Sequence, residues 1–305
     1  MFRSHRHHID TAEPAPLAAD LAREVRRLHI LTRRRVSDLF SGEYHSAFKG
    51  HGIEFAEVRE YEPGDDVRSI DWNVTARTGK TFIKRFVEER QLTVIVAVDL
   101  SRSGSFGTRG RTKRRLEIET AAVLAMAATQ NQDRIGLLLF TDVVEKFVPP
   151  RKGGPHCQRL IRDLLAFQPR GVATDIAPAI DHLSHMLKRR SVIFLISDFD
   201  SPPFARPLSV LARRHDVVAV TVNDPTEYAV PPIGLVDVTD PETAQIRTLD
   251  LSHRGARAYT AARVREREER DAVLATSGAD RITLSTDRPF VPELAAYFRR
   301  RERRR

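Results

Sequence analysis

The spacing of apolar residues changes along this chain, and each change marks a different kind of element. Over 16–40, Leu17, Leu21, Val25, Leu28, Leu31 and Val36 recur at near-helical spacing, which predicts a helix. Between 41 and 90, short segments are punctuated by Gly42, Gly50, Gly52, Pro63, Gly64 and Gly79. They predict a small β-rich unit with strands at 54–61 and 81–88. From Leu92 onward, apolar runs alternate with helical periodicity. Strands are predicted at 92–98, 134–140, 191–197 and 216–222, with helices near 112–130, 155–167, 176–190 and 204–214. The first and third strands are near-continuous apolar runs, as expected for strands buried on both faces. A hairpin over 233–250, a charged helix over 253–277, a strand at 281–285 and a last helix at 291–301 follow. Phe290, Leu294 and Phe298 are expected to dock that last helix.

Alternating β and α elements predict an α/β fold with a doubly wound, mostly parallel sheet of Rossmann type. The expected organisation is a disordered 1–15, an N-terminal helix and small β-rich subdomain over 16–90, an α/β domain over 91–298 and a basic tail over 299–305.

Composition narrows the setting. The chain has 305 residues, 41% of them hydrophobic, enough to bury a full α/β core. No apolar run is long enough to span a bilayer, and the polar, His-bearing start carries no signal-peptide core. Cys157 is the only cysteine, which excludes an internal disulfide and makes a cytoplasmic location the simple expectation. Residues 1–35 hold eight basic and four acidic groups, and residues 299–305 six and one, so the whole +9 excess sits in the two ends. Basic ends leave peripheral contact with an anionic membrane open. Nucleic acid is a weak expectation, because neither basic run carries aromatic stacking platforms.

The chemistry concentrates where strands end. Asp99-Leu100-Ser101-Arg102-Ser103 follows the first long apolar run, Asp198 ends another, and Thr174 stands on a loop before a predicted helix. In a parallel sheet these ends share one edge, where open α/β folds bind ligands. Asp99, Ser101, Ser103, Thr174 and Asp198 make a hard, oxygen-only donor set suited to Mg²⁺ or Mn²⁺. The bland alternative is local: Asp99 capping a turn, the serines satisfying loop amides, Thr174 or Asp175 capping the next helix. Arg102 adds a cation that would weaken metal binding.

The spacing Asp99-x-Ser101-x-Ser103, then Thr174, then Asp198, resembles the metal-ion-dependent adhesion site of von Willebrand factor A domains, over roughly residues 90–285. That resemblance implies a von Willebrand A-like domain. In it Ser101, Ser103 and Thr174 bind the ion, Asp99 and Asp198 act partly through water, and one position stays open for a partner's carboxylate.

A second resemblance lies upstream. Gly50-His51-Gly52-Ile53-Glu54-Phe55, Arg59-Glu60-Tyr61-Glu62-Pro63-Gly64-Asp65-Asp66-Val67-Arg68-Ser69-Ile70-Asp71-Trp72 and Thr75-Ala76-Arg77 are similar to the bacterial family called domain of unknown function 58. The resemblance implies association with a MoxR-type AAA+ ATPase in chaperone-like assembly or activation of client proteins. In this family a bulky apolar residue often follows the second serine. Here Gly104 follows, which is expected to loosen the loop.

The Pro63-Gly64-Asp65-Asp66 stretch predicts a tight turn. Glu54, Arg59, Asp65, Asp66, Arg68, Asp71 and Arg77 are expected to form a salt-bridge network holding the small unit to the α/β domain, with Trp72 packed at the junction. A second metal cluster at Asp65, Asp66 and Asp71 is the weaker alternative.

Other candidates carry less. His5, His7 and His8 lie in the polar N-terminus, and His51 stands between two glycines. His156 and Cys157 are adjacent, but one histidine is thin support for a reactive thiol. No phosphate loop or hydrolase elbow is present, so neither ATP hydrolysis nor serine hydrolysis is expected. The run 263–271 reads as a solvated helix face. The leading expectation is a non-enzymatic, metal-dependent protein-binding module. The rival is a metal-dependent hydrolase using Asp99 and Asp198, which needs a water-activating group that the sequence does not supply.

Overall fold

The computed structural model describes residues 44, 47–48, 54–87, 91–108, 110–240, 243 and 245–304, with backbone only for 54–58 and 84–87. The expected disorder over 1–15, the whole of the helix expected over 16–40, and His5, His7, His8 and His51 lie outside these residues. So does the side chain of Glu54.

The small unit pairs β1 (Glu54–Glu60) with β2 (Phe82–Val87) in an antiparallel ribbon. Between them lie a turn of 3-10 helix at Val67–Ser69 and the short helix α1 (Trp72–Thr78). Asp71 caps α1 by accepting from the Asn73 and Val74 amides at 3.0 and 3.3 Å. Gly79 closes it at φ 74°, a left-handed conformation that favours glycine at this position.

The main sheet has six strands: β3 (Thr93–Asp99), β4 (Arg134–Phe140), β5 (Val144–Arg151), β6 (Val192–Ser197), β7 (Asp216–Asn223) and β10 (Asp280–Ser285). Their order is β10-β7-β6-β3-β4-β5, and only β5 runs antiparallel. Between β3 and β6 the chain order reverses. Strand β3 leads outward to β4 on one side, while β6 starts the return on the other. Such a reversal opens a crevice at the carboxyl ends.

Strand β3 shows why both faces are covered. Val94, Val96 and Val98 point into one apolar cluster and Ile95 and Ala97 into another, because successive strand side chains alternate. The first cluster holds α2 (Lys113–Gln130), α3 (Gly154–Ala166) and α7 (Val291–Arg303). The second holds α4 (Ala177–Met186), α5 (Ala205–Arg214) and Leu274 of α6 (His253–Thr276). Helix α2 is buried along much of its length, and a run of small residues including Ala121, Ala122, Ala125 and Ala128 lets its backbone lie close to the sheet. A separate hairpin, β8 (Gly234–Thr239) with β9 (Ile246–Leu251), precedes α6. No helix of the described residues is long and apolar enough to cross a membrane.

Several expectations need correction. The expected elements from Leu92 onward are present, but the sequence reading left out β5. It carries Pro149 and Pro150, which an edge strand tolerates where no partner needs the amide. Trp72 does not pack at a junction: it is 69% exposed, on the first turn of a helix too short to have a buried side. In the described part of the expected network, Arg59 and Asp65 pair with each other rather than with the α/β domain. Arg59 pairs with Asp65 at 2.6 Å and Glu62 at 3.6 Å, all inside the small unit. Asp66 accepts from the Arg68 amide at 3.0 Å. Among the described residues, neither Arg68 nor Arg77 forms an ion pair. Asp65, Asp66 and Asp71 each accept from local amides, and among the described residues no group of three or more such side chains is placed to hold a metal.

The boundary at 298 falls inside α7. Arg301 bonds Asp216 and Asp280, donates to the Ala47 carbonyl at 3.0 Å and lies over the Phe48 ring at 4.6 Å. That part of the basic run belongs to the fold. Phe290, Leu294 and Phe298 are buried in the first cluster, as their spacing predicts.

Candidate metal centre at the carboxyl edge

Asp99 is the last residue of β3 and only 2% exposed. The Ser101 amide donates to its Oδ1 at 2.8 Å and the Ser197 hydroxyl to its Oδ2 at 2.7 Å. The chain then turns through Arg102–Ser105. Ser101 Oγ and Ser103 Oγ sit 3.0 Å apart, and Ser103 Oγ donates to Asp198 Oδ2 at 2.8 Å. Asp198 follows β6, the strand beside β3, and its Oδ1 accepts from the Asp200 amide at 3.1 Å. Asp99, Ser101, Ser103 and Asp198 therefore meet in one hydrogen-bonded cluster.

Thr174 is buried on the neighbouring loop. The Arg102 amide donates to the Val172 carbonyl at 3.0 Å and the Asp175 amide to Thr141 at 3.2 Å, tying that loop to the site. Glu145 Oε1 accepts from the Arg170 and Gly171 amides at 2.8 and 2.7 Å. A Cβ on Gly171 would collide with the Thr141 and Asp142 side chains. The Asp175 carboxylate accepts from the Ala177 amide at the start of α4 at 3.0 Å. Gly104 does not loosen the serine loop. It is buried, and a Cβ there would press on Arg114 and Glu117 at 3.1–3.2 Å, so glycine permits close packing.

The structure adds groups that sequence reasoning missed. Lys113 Nζ donates to Asp198 Oδ2 and Glu227 Oε1, both at 2.7 Å, with its side chain 4% exposed. Arg114 Nη2 donates to the Ser101 carbonyl at 2.5 Å. Glu117 is buried beneath the serine loop, and its Oε2 has no hydrogen-bond partner among the described residues. Arg270 donates to the Asp198 carbonyl at 2.7 Å, and Arg263 pairs with Asp200 at 3.2 Å. The run 263–271 is thus more than a solvated face. One sequence signal did exist for Lys113: a lysine opening a helix, with no acidic residue in that first turn, opposes the helix dipole. Arg102, by contrast, is exposed.

The electrostatics follow from burial. Desolvation, then repulsion from Asp198, pushes the Asp99 carboxyl up to about 6. Burial opposes ionisation of Asp198 as well, but the Lys113 ammonium outweighs it and holds this carboxyl below its ordinary value. Burial would lower Lys113, yet Asp198 and Glu227 hold it above the usual lysine range. Two carboxylates, Asp198 and Glu227, thus share Lys113, while Asp99 has serine donors but no cation beside it.

That arrangement fits a hard divalent cation. The donors are oxygens, two of them hydroxyls already facing each other, and the local carboxylates outnumber the ammonium. Among the described residues, no group of three or more His, Cys, Asp or Glu side chains is placed to hold a metal. A metal here would depend on the hydroxyls. Burial also raises the Cys157 thiol, and His156 Nε2 is engaged with the Ile135 carbonyl at 2.9 Å. That pair has the environment of an inert thiol.

Rv1480 of Mycobacterium tuberculosis (strain ATCC 25618 / H37Rv), an uncharacterized protein, is 32% identical over 286 residues, covering 93% of this chain and 90% of that protein. Among solved structures, conserved hypothetical protein BatB from Bacteroides thetaiotaomicron aligns with a TM-score of 0.47 at 14% identity, covering 70% of this chain and 99% of that one. A von Willebrand factor type A protein from Catenulispora acidiphila aligns with a TM-score of 0.38 at 11% identity, covering 70% and 42%. The family described as protein of unknown function DUF58 matches residues 57–270. With most of its length inside that match, and with the upstream signature and the sheet-edge cluster in one chain, this protein belongs to the DUF58 family.

Proposed function

We propose that this chain is a non-enzymatic protein-binding module whose carboxyl edge holds Mg²⁺ or Mn²⁺ and captures an acidic side chain of a partner. The observation that carries the reading is the Ser103–Asp198 hydrogen bond at 2.8 Å, which joins the loop after β3 to the end of β6 across 95 residues. Ser101, Ser103 and Thr174 would hold the ion, and Asp99 and Asp198 would orient the hydroxyls and supply compensating charge. The bound ion supplies an electrophilic position for a carboxylate. Asp99 is held by Ser197 and Ser101, so the edge is preorganised. The partner reading follows the family resemblance: a MoxR-type AAA+ ATPase or its client, in assembly or activation. No histidine among the described residues hydrogen-bonds to the cluster, so the hydrolase alternative would have to use a carboxylate as its base.

The test is calorimetric titration with Mg²⁺ and Mn²⁺ of the wild type and Asp99→Ala, followed by capture of a purified MoxR-type ATPase with and without Mg²⁺. Saturable binding lost in Asp99→Ala, with capture that needs the metal, supports the proposal. Equal heats in both proteins would overturn it.

A further inference from the structure

We infer that Lys113 is a tethered counter-cation that competes with the divalent ion for the carboxyl edge. The inference rests on the metal reading above and adds the residue that sets its affinity.

The seat of this lysine is built from separate parts of the fold. Its stem rises from the first turn of α2, against the helix dipole. Its ammonium lies between Asp198, at the end of β6, and Glu227, in the turn after β7. Glu227 is itself fixed, because its Oε2 accepts from the Asp224 amide at 3.0 Å while its Oε1 takes Lys113. Asp224 is anchored in turn by Thr108, Thr226 and Thr286, with bonds of 2.6–3.1 Å. A solvated lysine needs no such seat. A buried one is retained only where its charge is matched.

The consequence for a metal follows from charge and from lone pairs. Asp198 Oδ2 already accepts from both Ser103 Oγ and Lys113 Nζ. A divalent ion drawn to Ser101 and Ser103 must share Asp198 with an ammonium of like sign in a desolvated site, where repulsion is strong. The ammonium also has somewhere to go. A cleft of about 360 Å³ opens beside it, lined on the α6 side by Glu266 and Glu269 but also by Arg263, Arg267 and Arg270. Without metal, Lys113 holds Asp198 and Glu227 together; with metal, it is repelled toward the cleft. The edge therefore keeps its shape in both states, and its metal affinity is lower than the donor set alone would give.

The experiment is calorimetric titration of the full chain with MnCl₂ in wild type, Lys113→Gln, Lys113→Arg and Asp99→Ala, with a melting curve of each metal-free protein to verify folding. Lys113→Gln is expected to bind Mn²⁺ about ten-fold more tightly than wild type, because the repelling charge is gone. Lys113→Arg keeps the charge and is expected to bind no more tightly than wild type. Equal or weaker binding by folded Lys113→Gln, while wild type binds and Asp99→Ala does not, overturns the competition and leaves the metal reading standing. Should Lys113→Gln fail to fold, tighter binding by Lys113→Arg than by wild type would overturn the competition, and equal or weaker binding would support it. Absence of binding in every protein overturns both.

Discussion

Lys113 Nζ lies 2.7 Å from Asp198 Oδ2, linking the first turn of α2 to the end of β6 across 85 residues with almost no solvent contact. Removing one partner of a buried pair strands the other, which costs about 3–5 kcal/mol, whereas removing both costs much less. Asp198→Asn and Lys113→Met are each expected to destabilise the metal-free protein by about that amount. The double variant should lose clearly less than the two losses added. Urea unfolding of the four proteins measures the coupling, and simple additivity would mean that the pair contributes nothing.

A pH dependence is expected from Asp133, which is buried and accepts from the Leu92 amide at 2.9 Å. Burial raises its carboxyl from 3.8 to about 6, with the Leu92 amide opposing. The folded state therefore holds this proton more tightly than the unfolded chain. The resulting stability is fully present below pH 3.8 and lost as pH rises through about 6. Asp133→Asn keeps the acceptor for Leu92 and removes the titration, so its melting temperature should vary less with pH across that window. A variant whose profile overlays wild type would exclude this role.

Trp72 is the only tryptophan and stands exposed on α1. Its fluorescence is expected to be that of a solvated indole, freely quenched by acrylamide. Trp72→Ala should change stability by less than about 0.5 kcal/mol. A blue-shifted, protected emission would place it in a contact.

The arginines of α7 should divide sharply. Arg301 joins β7, β10 and the Ala47–Phe48 segment, so Arg301→Ala is expected to cost about 2–4 kcal/mol by stranding Asp216 and Asp280. Arg303→Ala, on the exposed side of the same helix, should cost less than about 0.5 kcal/mol. Equal midpoints in chemical unfolding would show that the terminal basic run is a tail after all.

How much of this was readable beforehand depended on whether the signal was local. Strand β3 announced itself because Val94–Val98 is an apolar run ended by Asp99. Strand β6 did so because the apolar run Val192–Ile196 ends two residues before Asp198. Parallel topology then put both ends on one edge, so Asp99, Ser101, Ser103 and Asp198 were identifiable from chain order and residue type. The structure places these four in a single cluster. Strand β5 was missed; it carries Pro149 and Pro150, which only its edge position makes harmless.

The sequence by itself determined most of the strands and helices from Leu92 onward, β5 excepted, and the serine and aspartate oxygens that meet at the carboxyl edge. Apolar periodicity and strand ends are properties of a few consecutive residues. Only the tertiary structure decided which charge compensates them. Whether Lys113 meets Asp198 and Glu227 depends on how α2 crosses the sheet and how the turn after β7 is held by Asp224. The same holds for Trp72 turning outward and Arg301 turning in. An ion pair between residues far apart in the chain leaves no periodic trace, because its energy arises from burial and packing that exist only once the layers have closed.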